Sequence, residues 1–385
     1  MGACGNSAVR AAQQTVKVGW HAPPPGSRSG VADYAARLRP ALQKFCAIES
    51  GVPDAALHLY HVGNNRLHQQ IYARAVNTTG VVILHDAVLQ HFFLGTRSHD
   101  EYLAEWVHNY GEWQRELGEE LWRDRARSAV DARYFRFPML RRVVENARGV
   151  IVHNPGAAAM AREHGAARVF TIPHFFEAGQ DPDEHEVARF RERIGVEPGV
   201  TLFGIFGYMR EPKRVLQCVT AFRKLHALRP RTALLLAGEV ISRDLERLLA
   251  TETAHPGIRR MGHMTDADLK IATASIDCCL NLRYPAAGET SGIAIRVMGN
   301  GIPVIATDSP ENDGIPHGAI LLVPPGISEA SELFGQMLIV TDFPQLARAI
   351  GAKARQHVRT VHALDRVAEQ YWEALCASVP GPGDG

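Results

Sequence analysis

Asn281-Leu-Arg-Tyr-Pro-Ala-Ala-Gly-Glu-Thr-Ser-Gly-Ile-Ala-Ile-Arg-Val-Met-Gly-Asn-Gly-Ile-Pro-Val-Ile305 decides the reading of this chain. An apolar strand pattern, Ile276 to Leu282, runs into a loop of small polar residues. A short helix pattern follows, broken at Gly299 and Gly301, and then a second strand from Pro303 to Ala306. The unit is β-loop-α-β, and its helix starts at Thr290, Ser291 and Gly292. Such an end presents backbone N–H groups and the positive end of a helix dipole, which suits a phosphate. The loop also carries a carboxylate, Glu289, and the helix a guanidinium, Arg296. Together these features point to a nucleoside diphosphate site in an α/β enzyme.

Working outward, the same rhythm fills the chain. Val16 to Trp20 reads as a strand that ends at His21-Ala-Pro-Pro-Pro-Gly-Ser-Arg-Ser-Gly30, a Pro/Gly loop followed by a helix from Val31 to about Phe45. Further strands are expected at Leu57–Val62, Val81–Leu84, Val150–His153 and Val169–Pro173, with a helix over Ala157–Glu163. Residues 99–146 read as mostly helical, and Trp106 and Trp113, seven apart, are expected on one helix face. The acidic stretch 177–186 reads as a linker. Beyond it, strands at Thr201–Phe206 and Thr232–Ala237 alternate with helices at Lys213–Leu228, Arg243–Thr251 and Asp266–Ala274, and a last helix is expected over His362–Leu375. Strands alternating with helices imply parallel, doubly wound sheets. Two such halves would place a ligand cleft at the carboxyl ends of the strands.

Composition limits the alternatives. At 385 residues the chain is long for one core, so two domains are expected. The net charge of +1 gives no field suited to nucleic acid. The six cysteines show no C-x-x-C spacing and fit a reducing cytoplasm. Neither an apolar signal segment nor a membrane-length run is present in the sequence.

At this point five pieces, in order, resemble a known family. They are Pro23-Pro-Pro…Ser29-Gly-Val-Ala-Asp-Tyr34; Tyr60-His-Val-Gly-Asn-Asn65 with Gly80-Val-Val-Ile-Leu-His-Asp86; Gly207-Tyr-Met-Arg-Glu-Pro-Lys213; Gly288-Glu-Thr-Ser-Gly292; and Gly301-Ile-Pro-Val304. The chain from about Val16 to Leu375 resembles a retaining, family-4 type GT-B glycosyltransferase, one of the glycosyl transferases group 1. The resemblance implies two Rossmann-like doubly wound domains facing a central cleft. Residues 1–176 would form the acceptor domain and 187–360 the nucleotide-sugar donor domain, and a helix at 361–377 would cross back to the first. Many members carry two glutamates eight positions apart; here Gly288 and Arg296 occupy those places, with Glu289 beside the first. That departure leaves open the usual assignment of the two glutamates to donor sugar and ribose.

Glycosyl transfer from a nucleotide sugar develops negative charge on the diphosphate, where fixed dipoles and cations are needed. The resemblance implies that this is done without metal or added cofactor. The expected donor and phosphate residues are Gly30, Arg210, Lys213, Glu289, Thr290, Ser291, Gly292 and Arg296. Lys213 could equally be a solvated lysine in a first helix turn, and Ser291 or Thr290 a plain N-cap. Arg296 would reach the phosphate or pair with Glu289. Acceptor residues are expected at Ser29, His85, Asp86 and His153. His85 ends a strand, where it could hydrogen-bond a sugar hydroxyl or help to deprotonate the acceptor. His85, Lys213 and Glu289 are the expected catalytic set. His21, His61 and His174 read as structural or peripheral.

Two Asp-x-Asp matches, Asp181-Pro-Asp183 and Asp266-Ala-Asp268, read as a linker piece and a helix start rather than a metal site. Asp308 and Glu311 are candidates for ribose contact or helix capping. The acceptor would be a saccharide, glycolipid or small molecule, and a glycolipid would bring the protein to a membrane surface. Base, sugar, linkage and oligomeric state stay open. Two rivals share the fold: a nucleotide-sugar epimerase or hydrolase, and a non-catalytic nucleotide-sugar-binding module. A dehydrogenase fits poorly, because no Gly-x-Gly-x-x-Gly follows the first strand.

Overall fold

The computed structural model describes residues 16–52, 55–179 and 182–379. They divide into two compact units. Unit one contains residues up to His174, the short segment Ala287–Thr290 and the chain from Leu364 onward; unit two contains Phe175–Ala286 and Ser291–Ala363.

Unit one is built on a six-stranded sheet in the order β2-β1-β3-β4-β5-β6. The strands are β1 (Lys17–His21), β2 (Ala47–Ser50), β3 (Leu57–Val62), β4 (Gly80–Leu84), β5 (Ala147–Val152) and β6 (Val169–Thr171). Every neighbouring pair is parallel. β3 and β4 are buried along their whole length, as expected of strands covered on both faces by crossover helices. The burial of β3 explains why its polar residues His58 and His61 must find partners inside the protein.

Unit two repeats the plan with a six-stranded sheet in the order β12-β11-β10-β7-β8-β9. Its strands are β7 (Thr201–Phe206), β8 (Thr232–Ala237), β9 (Ile258–Met261), β10 (Cys278–Asn281), β11 (Val304–Thr307) and β12 (Leu321–Val323), all in parallel register. The short strands β2, β9 and β12 have no counterpart in the sequence reading. Each has only three or four residues, too few for a period to show.

Three expectations are corrected. Trp106 and Trp113 do not share a helix face. The helix His99–Tyr110 stops at Gly111, whose φ is +86°, so Trp106 is buried and donates its indole N–H to the Gln114 carbonyl while Trp113 is exposed. The acidic stretch 177–186 is not linker throughout. A helix begins at Glu184, because Asp183 and Glu186 form a reciprocal capping box. Finally, Lys213 does not open the long helix. It closes a single turn, Glu211–Lys213, and Arg214, at φ +56°, separates that turn from the helix Val215–Leu228.

The last helix, Leu364–Ala377, belongs to unit one and packs on the helix Gly30–Leu42. The two buried tyrosines Tyr34 and Tyr371 join there, hydroxyl to hydroxyl at 2.9 Å. No described helix is long and apolar enough to cross a membrane.

Candidate active site

The carboxyl ends of the unit-one strands collect histidines. β1 ends at His21, His61 is the penultimate residue of β3, His85 follows β4, His153 follows β5 and His174 lies just past β6. His61 Nδ1 and His85 Nε2 share a hydrogen bond of 3.0 Å. The Tyr34 ring lies among the imidazoles, with centroids 5.0 Å from His85, 5.2 Å from His153 and 4.9 Å from His174. Burial pushes the pKa of both His61 and His85 well below the ordinary imidazole value, and neighbouring histidines reinforce it. His153 is lowered to about 4, again by burial, although its hydrogen bond to the Ile172 carbonyl opposes the shift. A buried charge without a counter-charge is costly, so His61, His85 and His153 are neutral near pH 7.

The other expected acceptor residues are placed as follows. His153 donates through Nδ1 to the Ile172 carbonyl at 3.0 Å. Asp86 accepts the backbone N–H of Asn64 at 2.8 Å, which ties the turn after β3 to the end of β4. Ser29 is the N-cap of the helix Gly30–Leu42 and makes no side-chain capping bond. A side chain at Gly30 would meet only open space.

The segment Ala287–Thr290 is also held in unit one. Its Ala287 carbonyl accepts the N–H groups of Ala87 and Val88 at 2.8 and 3.0 Å. Asn154 Nδ2 donates to the Gly288 carbonyl and to Thr290 Oγ1, both at 2.9 Å, while its Oδ1 caps the helix Pro155–Glu163 through Ala157 N–H. Gly288 sits at φ +74°, and a Cβ there would lie 2.6 Å from Ala87 Cβ. Glu289 turns back and accepts the Ala287 N–H at 2.8 Å. Asn154 was not among the expected site residues. Its sequence signal is the Asn-Pro pair after a strand, which reads as an N-cap followed by Pro at the first helical position and reveals nothing of the second partner. Asn154→Ala should cost about 1–2 kcal/mol by losing the cap and the loop bonds together. A lowered urea midpoint would report it, and an unchanged midpoint would contradict the anchoring role.

In unit two the sheet edge offers positive charge. Gly207 (φ +80°) follows β7, and Gly238 (φ +149°) follows β8; a Cβ at Gly238 would lie 2.2 Å from the Gly207 carbonyl oxygen, so only glycine fits that crossing. Lys213 returns over Gly207 and donates to the Phe206 carbonyl at 2.7 Å. Arg210 lies exposed at the start of the same turn. Arg214 points elsewhere, in a bidentate pair with the buried Glu329.

β10 is the neighbour of β7, and the chain after it is tied to the same turn by Tyr284 N–H donating to the Pro212 carbonyl. Ser291 caps the helix Gly292–Gly299 through the N–H of Ala294. Its hydroxyl donates to Asn281 Oδ1 at 3.0 Å and accepts from Arg283 Nη2 at 3.3 Å. Arg283 is thus a guanidinium at the start of the phosphate-type helix. It was missed because it stands before the Pro/Gly loop rather than in it. Arg296 was expected on the phosphate or on Glu289; instead it pairs with Asp266 at 2.9 Å. Asp266 opens a helix capped by Thr265, so the Asp266-Ala-Asp268 match is a helix start; Asp181 lies outside the described residues. Asp308 N–H extends the ladder to the Val323 carbonyl, and Glu311 lies in the short turn Pro310–Asn312 beside it. Among the described residues, no group of three or more His, Cys, Asp or Glu is placed to hold a metal ion.

Two doubly wound parallel units are the architecture of the GT-B fold. Residues 197–340 match the family described as Glycosyl transferases group 1. No curated protein matches the chain in sequence. Solved structures share the fold from end to end. HepE (Alr3699) from Anabaena, crystallised with UDP and glucose, is 14% identical over 94% of this chain and 100% of its own, with a TM-score of 0.63. Sucrose-phosphate synthase from Thermosynechococcus elongatus is 15% identical over 93% and 97%, with a TM-score of 0.64. WaaG, a glycosyltransferase involved in lipopolysaccharide biosynthesis, is 15% identical over 93% and 99%, with a TM-score of 0.61.

Proposed function

We propose that this enzyme transfers a sugar from a uridine diphosphate donor to an acceptor hydroxyl, with retention of anomeric configuration and without a bound metal, in the cytoplasm. One observation carries the reading. At the edge of the unit-two sheet, Lys213 and Arg283 stand at the ends of the adjacent strands β7 and β10, and Arg283 touches the cap of the helix Gly292–Gly299. Two cations and a helix N-terminus together supply the positive field that a departing diphosphate needs. The uridine base is proposed because HepE was crystallised with UDP and with UDP-glucose. Residues 187–360 would bind the donor, and residues 1–176 the acceptor, a saccharide, glycolipid or small hydroxyl compound. Retention follows the resemblance of Gly207–Lys213 and Gly288–Gly292 to retaining enzymes, in which the leaving phosphate takes the acceptor proton.

The test is thermal stabilisation by UDP, GDP, ADP and dTDP, followed by product analysis with the sugar nucleotide of the base that binds. A ligand present at about 100 times its Kd adds about 2.7 kcal/mol to the folded state. A shift with UDP and an α-linked product from an α-configured donor would support the reading. No shift with any nucleotide would overturn it, and an epimer or free sugar with every acceptor offered would replace transfer by the epimerase or hydrolase reading.

A further inference from the structure

We infer that His61 is a positioning residue that fixes His85 as a hydrogen-bond donor through Nδ1, and so removes it from the role of acceptor base. The inference rests on the proposed function only in taking His85 as a ligand contact. Its core is a proton count along the buried edge of unit one.

A neutral imidazole has one N–H and one lone pair. The bond between His61 Nδ1 and His85 Nε2 needs one of each. If His85 donated, the proton of His61 would have to sit on its Nε2. That atom is buried and has no hydrogen-bond partner among the described residues. The alternative places the proton on His61 Nδ1 and leaves only a lone pair on the orphaned atom. A buried N–H without an acceptor is the rarer and costlier of the two, so His61 donates. His85 Nε2 therefore accepts, and the single proton of His85 lies on Nδ1.

Two neighbours follow the same arrangement. His68 donates through Nδ1 to the His61 carbonyl at 2.9 Å, and His153 through Nδ1 to the Ile172 carbonyl at 3.0 Å. A carbonyl can only accept, so both rings keep a lone pair on Nε2, and both of these atoms are also buried without partners. Burial keeps the two bonded rings, His61 and His85, neutral near pH 7, so no second proton upsets the count. The Tyr34 ring packs edge-on to the His85 imidazole at 5.0 Å.

Among the described residues His85 Nδ1 has no hydrogen-bond partner, and it is not fully buried. It is the nitrogen offered outward. It presents an N–H to an oxygen of the ligand and has no lone pair with which to take a proton. The acceptor proton must therefore leave to another group, which agrees with a leaving phosphate acting as the base.

The experiment is a long-range proton–nitrogen spectrum of nitrogen-15 histidine-labelled protein, with the His85 ring assigned by its loss in His85→Gln. The expected result is a protonated Nδ1 and an unprotonated Nε2 for His85. His61→Asn, whose side-chain amide supplies a replacement N–H, should keep that pattern. His61→Phe should release His85 into a mixture that includes the Nε2–H form. A protonated Nε2 in the wild type overturns the inference, and so does an unchanged His85 pattern in His61→Phe. Should His61→Phe fail to fold, the wild type and His61→Asn still decide. The spectra are taken without ligand, so a failed nucleotide-binding test would count against the donor reading and not against the tautomer.

Discussion

Lys213→Ala lowers kcat/KM for transfer from UDP-glucose by about a hundredfold to a thousandfold, the range found when one fixed donor to a developing anion is removed. The side chain is held for the task. It leaves a single turn that Arg214 cuts off from the following helix, and it passes above Gly207, where a Cβ would stand 3.1 Å from its ammonium nitrogen. Its bond to the Phe206 carbonyl orders the ammonium at the end of the strand, and an ammonium has three donors, so phosphate oxygens can bind without displacing that contact. Most of the loss should fall on kcat, because the charge is greatest in the transition state. The UDP-induced thermal shift should shrink as well. A variant within about threefold of wild type in kcat/KM would remove Lys213 from the phosphate site.

Acid unfolds unit one early. In an unfolded chain histidines take protons near their ordinary pKa of about 6.5. In the folded protein His153 does so only at about 4. Between those values the unfolded state binds more protons, so stability is full above about pH 6.5 and falls as the pH drops toward 4. His153 alone accounts for about 3 kcal/mol over that range. His61 and His85, whose values burial also lowers, act in the same direction. Urea midpoints taken from pH 7.5 to 4.5 should fall steeply below 6.5, and His153→Gln should flatten the slope. A midpoint constant between pH 6.5 and 4.5 would show that the ring is hydrated or paired when charged.

The fold was largely legible because parallel strands covered on both faces are apolar runs. β3, Leu57–Val62, and β8, Thr232–Ala237, stand at the residues expected for them. The helix cap was legible for a similar reason: small polar residues after a strand favour an N-cap, and Ser291 caps its helix as its type suggests. What stayed hidden was pairing over distance. Asn154 meets Gly288 across 134 positions and Arg296 meets Asp266 across 30. His61 read as structural because nothing local shows that β3 and β4 are neighbours in register, with His61 beside Ile83 and His85 just beyond it. A guanidinium such as Arg296 takes the nearest well-placed carboxylate, and which carboxylate is nearest depends on how one helix lies beside another.

Unit one is assembled from three separate pieces of chain, and this sets the order of its birth on the ribosome. Tyr34 is made 337 residues before its partner Tyr371. The sheet of unit one can form while synthesis continues, but the helix Leu364–Ala377 and the segment Ala287–Thr290 that complete it arrive only after most of unit two. Contacts so distant in sequence close slowly. The nascent chain therefore carries an unfinished apolar face on the helix Gly30–Leu42 until the helix Leu364–Ala377 has been made, which is the condition in which chaperone capture and aggregation compete with folding.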